Sequence, residues 1–222
     1  MADAALRLFE TVATPPTDLP ITGPTELAEP LQQPFQQMAQ PGRLIELSSP
    51  QHGPGARTST AASLLRHAQR EGETTAWIQP SGGPLYPPDL HESGVDLESL
   101  VVVHVPAEQG TLGLAKAAEL LLRSGAFGMV VLDLGAAKSR GSTAWQGRLL
   151  GLARQHESRV LLLTDKPSVA DSLGPLIGLR VEPRREREAD GRFTVEHHVL
   201  KNKSGAPVTL ARARFLGPAG LR

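Results

Sequence analysis

From residue 42 onward, apolar and polar positions follow two alternating periods. Arg43 to Leu47 is an apolar run of strand length, and Arg57 to Arg70 places Ala61, Leu64, Leu65 and Ala68 on one helical face. Glu73 to Gln79 reads as a second strand, followed by a proline-punctuated loop through Ser81 to Pro88 and the turn signal ESGVD. Leu100 to Val105 is a third strand and Thr111 to Arg123 a helix, with Leu114, Ala118, Leu121 and Leu122 at helical spacing. Gly128 to Leu134 is apolar almost throughout, as expected of a strand buried on both faces. Ser142 to His156 carries Trp145, Leu149 and Leu152 at i, i+4 and i+7, and Val160 to Thr164 is the next strand. Strands alternating with helices of this length predict an α/β fold with a mostly parallel sheet and helices on both faces. Beyond Leu176 the pattern becomes strand, turn, strand over Ile177 to Glu182, Arg192 to Lys201 and Val208 to Phe215, which predicts an antiparallel hairpin extension.

Residues 1–41 differ from the rest. Ala2 to Ala13 reads as a short helix made apolar by Ala5, Leu6, Leu8, Phe9 and Val12, whereas prolines at 15, 16, 20, 24, 30, 34 and 41 exclude a long helix or a central strand between them. The organisation is therefore an N-terminal helix with a proline-rich arm, then a core over 42–222. The helix has two expected docks, its own core or a neighbouring protein.

Composition narrows the chemistry. Lys+Arg 23 balance Asp+Glu 23 in 222 residues, so no global field recruits nucleic acid or a membrane. With Cys 0 there is no disulfide, thiolate metal site or cysteine nucleophile. The longest apolar runs are strand-sized, and the acidic start MADAALRLFE lacks the basic region of an export signal, so a cytoplasmic protein without a membrane partner is expected. His197 and His198 point to opposite faces of a strand, and the other five histidines have no metal-ligand spacing, so no metal is expected.

The stretch GRLIELSSPQHGPGARTSTAAS, Gly42 to Ser63, runs from strand through a Gly/Pro loop to a helix start, the arrangement that seats phosphates in P-loop proteins. Its chemistry is incomplete. No register fits GxxxxGK[ST]: the loop offers Ser49, Gly53 and Gly55, with Arg57-Thr58 where Lys-Thr would stand, and Pro54 removes an N–H donor. A degenerate phosphate loop is expected, leaving weak ATP binding through Arg57 and Thr58 open but no resident cofactor.

The order of pieces then resembles the ATPase core of the RecA recombinases over roughly residues 42–215. GRLIEL, AQREGETTAWI, SGVDLESLVV, LLRSGAFGMVVLDL and VLKNKSGAP carry the resemblance, in that order. It implies a RecA-like P-loop core. It also implies a lost activity, because the family's catalytic Glu falls at Ser81, within Gln79-Pro80-Ser81. Asp133 matches the acidic residue that helps position Mg²⁺; without the loop lysine, a role capping the strand end is preferred. DNA contacts would rest on Lys138 and Arg140 in one loop, with Lys166 alone against Asp165 and Asp171 in the other, so DNA is bound at most weakly. Arg180, Arg184, Arg185 and Arg187, interleaved with Glu182, Glu186 and Glu188, read as a solvated hairpin face. Lys201 and Lys203 match lysines that reach a neighbour's ATP in the recombinase filament, or are an ordinary polar turn; Phe9 would supply a matching dock.

Small RecA-like chains with degenerate loops are similar to the ImuA group, accessory proteins of damage-induced mutagenesis. This resemblance implies a non-catalytic adaptor, a pseudo-ATPase in bacterial SOS-induced translesion synthesis. It would bind a Y-family polymerase-like partner of the ImuB type and RecA, capping or inhibiting RecA filaments, in the cytoplasm and at the nucleoid under DNA damage. The alternatives are a cell-division inhibitor of the SulA type and an ATPase with an atypical P-loop.

Overall fold

A computed structural model describes residues 40–135, 143–189 and 192–205, with the backbone of 213–215. The proposed N-terminal helix and arm, with Phe9, therefore lie outside the described residues, as do Lys138 and Arg140 and residues 208–212 of the last expected strand. In chain order the elements are β1 (Arg43–Ser49), α1 (Arg57–Arg70), β2 (Thr75–Pro80), α2 (Pro87–Glu92), β3 (Leu100–Val105), α3 (Gly110–Arg123), β4 (Met129–Gly135), α4 (Ala144–Gln155), β5 (Arg159–Pro167), β6 (Leu179–Arg187), β7 (Phe193–Asn202) and β8 (Ala213–Phe215). They form one eight-stranded sheet in the order β3-β2-β4-β5-β1-β6-β7-β8. The pairs from β3 to β6 are parallel, and β6-β7 and β7-β8 are antiparallel. The α/β class, the mostly parallel sheet and the antiparallel extension follow the sequence pattern.

Strand alternation divides the core in two. Ile45, Leu47, Trp77, Met129, Val131, Leu161 and Leu163 pack on Ala61, Leu64, Leu65 and Ala68 of α1 and on Leu90 of α2. Leu44, Ile78, Val130, Leu132, Val160 and Leu162 face Leu114, Ala118 and Leu122 of α3 and Trp145 and Leu149 of α4. The i, i+2 alternation of each strand thus feeds opposite helical layers, which is why β4 is buried almost throughout.

Two of the expected element bounds need correction. The loop expected from Ser81 to Pro88 ends at Tyr86, after which helix α2 begins: Pro87 and Pro88 occupy its first turn, where a missing N–H costs nothing. The first strand of the chain's final part, expected over Ile177 to Glu182, is β6, which starts at Leu179 and continues through Pro183 to Arg187. β1 pairs β6 only at Leu179 to Val181. Past that point Pro183 accepts the Ala56 N–H at 3.1 Å, so the side of β6 on which proline lacks a donor faces the loop after β1 and not β7.

The β5-to-β6 connection passes over β1 without a helix, so residues 168–178 must satisfy their peptide groups by other means. A buried polar network does so. Glu46, wholly buried in β1, accepts the Leu173 N–H at 2.8 Å and the Thr164 hydroxyl at 3.2 Å, and faces Arg180 at 3.4 Å. Arg180, also buried, donates to Ser48 Oγ at 2.6 Å, to the Pro167 carbonyl at 3.0 Å and to the Ala170 carbonyl. Lys201 donates to Ser172 Oγ at 3.0 Å and to the Gly174 carbonyl at 3.2 Å, and Lys203 to the Pro175 carbonyl. Arg180 is therefore no part of a solvated hairpin face. Glu182 is buried as well, held to Arg184 by two contacts of 2.8 and 3.2 Å.

Removing one charge of the Glu46–Arg180 pair leaves the other buried and unpaired. Glu46→Gln is expected to lower stability in urea by about 3–5 kcal/mol. Glu46→Leu/Arg180→Met, which removes both charges, is expected to cost clearly less than the sum of its two single variants. Additive losses in that cycle would show that the two side chains act independently.

Candidate functional site

The loop after β1, the start of α1 and the ends of β4 and β5 meet at the carboxyl edge of the parallel strands. β1 leads towards β2 in one direction along the sheet, and β4 and β5 lead the other way, so their outgoing connections run in opposite directions here. Such a switch point is where open α/β sheets form crevices. The sequence pattern places the degenerate loop at this point, and the fold brings Ser49, Gly53, Gly55, Arg57, Thr58 and Asp133 to this edge.

The loop is engaged by its own sheet. Gly55 forms an antiparallel bridge with Arg184, flanked by Ala56 N–H to the Pro183 carbonyl and Arg185 N–H to the Pro54 carbonyl, both at 3.1 Å. β6 outruns β1, and the loop fills the vacated edge of the longer strand. Gly53 takes a left-handed φ of +80°, which the tight turn requires, and a Cβ there would meet open space. At Gly55 a Cβ would come within 3.0 Å of Pro50, so the loop closes on its own base. Ser49 pairs with Pro167 beyond a register shift in β1. A phosphate cradle needs successive amides directed inward. The Ala56 amide points to β6 instead, and Pro54 has none.

Arg57, the first residue of α1, forms an ion pair with Asp165 at the end of β5. Its Nη1 is buried with no hydrogen-bond partner among the described residues. Thr58 is exposed beside it, and Ala56 supplies no side-chain cap to the helix. Asp133 is 8% exposed, and its Oδ1 accepts the Gly135 N–H at 3.1 Å. Burial pushes this carboxyl above its ordinary range, with the charge of Asp165 adding to the effect; the Gly135 N–H and the charge of Arg57 oppose it. Asp133 thus has the strand-end hydrogen bond expected of it, and it also sits in a small charged group, Arg57–Asp165–Asp133.

The remaining sequence-derived positions are spread out. Ser81 is exposed at the end of β2, its N–H bonded to the Val105 carbonyl at 2.8 Å. Gln79, almost wholly buried, accepts the Leu85 N–H at 3.2 Å and packs under Gly83, so it shapes the loop after β2. Lys201 and Lys203 lie over residues 172–175, away from the phosphate loop; burial and the neighbouring Lys203 charge push the Lys201 ammonium below its usual range. His197 is buried with Nε2 3.0 Å from Thr60 Oγ1, whereas His198 is 3.6 Å from Glu196, so the two rings do face opposite ways. Among the described residues no three His, Asp or Glu side chains cluster to hold a metal ion, and no helix is long and apolar enough to cross a membrane.

Sequence reading missed Glu46 and Ser48, and set Arg180 on a solvated face instead of in the core. A signal was present: a single carboxylate at i+2 from Leu44 on a core-facing row of a buried strand requires a cationic partner.

The Asp133 environment makes a pH prediction. A folded value above the unfolded one means that the protonated form stabilises the fold below the unfolded value, and that this contribution is lost as pH rises through the folded value. Asp133→Asn keeps an oxygen for the Gly135 N–H and removes the titration. Its melting temperature is expected to equal or exceed that of the wild type at pH 7, with the advantage vanishing in acid. A deficit at pH 7 that persists in acid would contradict this.

No protein-family model matches the chain, and no curated protein matches it.

Proposed function

We propose that the chain is a RecA-like core whose nucleotide site has been given up, acting as a non-catalytic adaptor in damage-induced translesion synthesis. Its partners on this reading are a Y-family polymerase-like protein and RecA. The observation that carries the reading is the loop after β1, with Ala56 and Arg185 amides and the Pro54 and Pro183 carbonyls joined in a ladder. Such a loop keeps the strand–loop–helix architecture of a phosphate site but gives the Ala56 N–H to β6 and has no N–H at Pro54. The exposed Ser81 where a base would stand, and the closed Arg57–Asp165 pair, support the same reading. Phosphoryl transfer rests on positioning and charge stabilisation, and both are weakened here.

Lys201 and Lys203 enter the proposal in an altered role. Both donate to residues 172–175 of their own chain, so a partner would have to take them from these carbonyls. A filament contact is therefore better sought in the whole protein than assigned to this pair.

The test combines purified full-length protein with MgATP alone, and then with RecA, ATP and single-stranded DNA. The protein alone is expected to release no phosphate above the blank. At equal concentration it is expected to shorten RecA filaments and to be retained by a polymerase-like partner of the ImuB type in a pull-down. Phosphate release that Asp133→Ala abolishes would overturn the non-catalytic reading. Failure to touch either partner would overturn the adaptor reading.

A further inference from the structure

A pocket of about 250 Å³ opens at the amino end of β1, the opposite end from the degenerate loop. Leu44, Leu150 and Leu176 form its apolar part, and Arg43, Arg154 and Lys203 bring three cations to it. Among the described residues no carboxylate lines it. Arg43 and Arg154 make no ion pair among the described residues, and Lys203 meets only the Pro175 carbonyl there. The Arg154 stem packs on Gly42, where an added Cβ would lie 3.3 Å from its Cγ and where φ is +72°. The pocket is thus preformed, cationic and floored by leucines. Its volume is below the roughly 300–1,000 Å³ of small-molecule sites, and suits a few side chains better than a cofactor.

The chain supplies a complementary group next to it. Gly42 itself lines the pocket, so the chain enters β1 at the pocket's mouth through Gln40 and Pro41. Residues 1–39 carry Asp3, Glu10, Asp18, Glu26 and Glu29 against the single base Arg7, whereas the rest of the chain has 22 basic and 18 acidic residues. Within this acidic arm, Glu26 to Leu31 reads ELAEPL, alternating carboxylates with Leu27 and Leu31. Leu31 precedes Gln40 by nine residues, a span of up to about 30 Å when extended.

We propose that the basic pocket is the seat of the chain's own Glu26–Leu31 stretch. The leucines cover Leu150 and Leu176, and the carboxylates face Arg43, Arg154 and Lys203. The short tether sets a local concentration on the order of millimolar, so a contact too weak to hold a free peptide suffices. Salt weakens it, because the charges sit at a solvent-facing rim.

The absence of cysteine allows a direct test on the full chain. Gln32→Cys carrying a nitroxide is expected to broaden the amide signals of Leu150, Arg154 and Ser204 at low salt by at least half. Arg43→Glu/Arg154→Glu is expected to restore these signals, as is Glu26→Arg/Glu29→Arg, and combining all four changes is expected to bring the broadening back. If the reversal at 43 and 154 loses the dispersed spectrum of a folded protein, Arg43→Gln/Arg154→Gln serves instead. Unbroadened signals in the labelled wild type would overturn the proposal, as would broadening indifferent to charge. So would broadening that arises only between labelled and isotope-enriched copies in a mixture, since a second molecule would then fill the pocket. None of these readings involves nucleotide, RecA or a polymerase, so the result is independent of the proposed function.

Discussion

The buried pair of Glu46 and Arg180 is the constraint on which the carboxyl half of the sheet depends. Two charges withdrawn from water are tolerable only when nearly every polar atom finds a partner. Here the partners are the backbone groups of a connection that has no helix of its own: Leu173 N–H on Glu46, and the Pro167 and Ala170 carbonyls on Arg180. The pair therefore does two jobs. It fixes β6 beside β1 in register, Glu46 opposite Arg180, and it ties down the chain that crosses between β5 and β6. Lys201 and Lys203 extend the same arrangement from β7.

The condition of the loop after β1 follows from this. With β6 held next to β1 and running several residues beyond it, an unpaired strand edge faces the loop. The loop answers with Pro54, Gly55 and Ala56, and its peptide groups turn towards β6. A glycine-rich loop that would otherwise be free to wrap an anion becomes part of a ladder. Arg57 is drawn to Asp165, and Asp133 remains as a buried carboxyl at the strand end. The residue types of a phosphate site thus persist in place while their donors serve the fold.

Much of this was legible in the sequence because it rests on periodicity. The 2-residue and 3.6-residue patterns found β1 to β5, α1, α3 and α4 close to their observed bounds, and the change of pattern after Leu176 marked the antiparallel part. What was not legible depends on partners distant in sequence. Helix α2 was hidden because Pro87 and Pro88 read as loop residues until they are seen in a first helical turn. Pro183 read as a strand end because the side on which it lacks an N–H is known only once the loop is in place. Arg180 read as one of four surface arginines, since the alternation with glutamates matches a solvated face and Glu46 lies 134 residues earlier. At the loop itself, sequence gave the missing lysine and the proline, but the reason the cradle is closed is β6.

The most direct test of this account is amide hydrogen exchange at Ala56 and Arg185, followed residue by residue with and without millimolar MgATP. Amides held in the ladder are predicted to exchange slowly and at the same rate in both samples. Fast exchange at both positions in the free protein, or protection spreading from Gly53 to Thr58 when nucleotide is added, would show that the loop is an open phosphate site and would contradict the account.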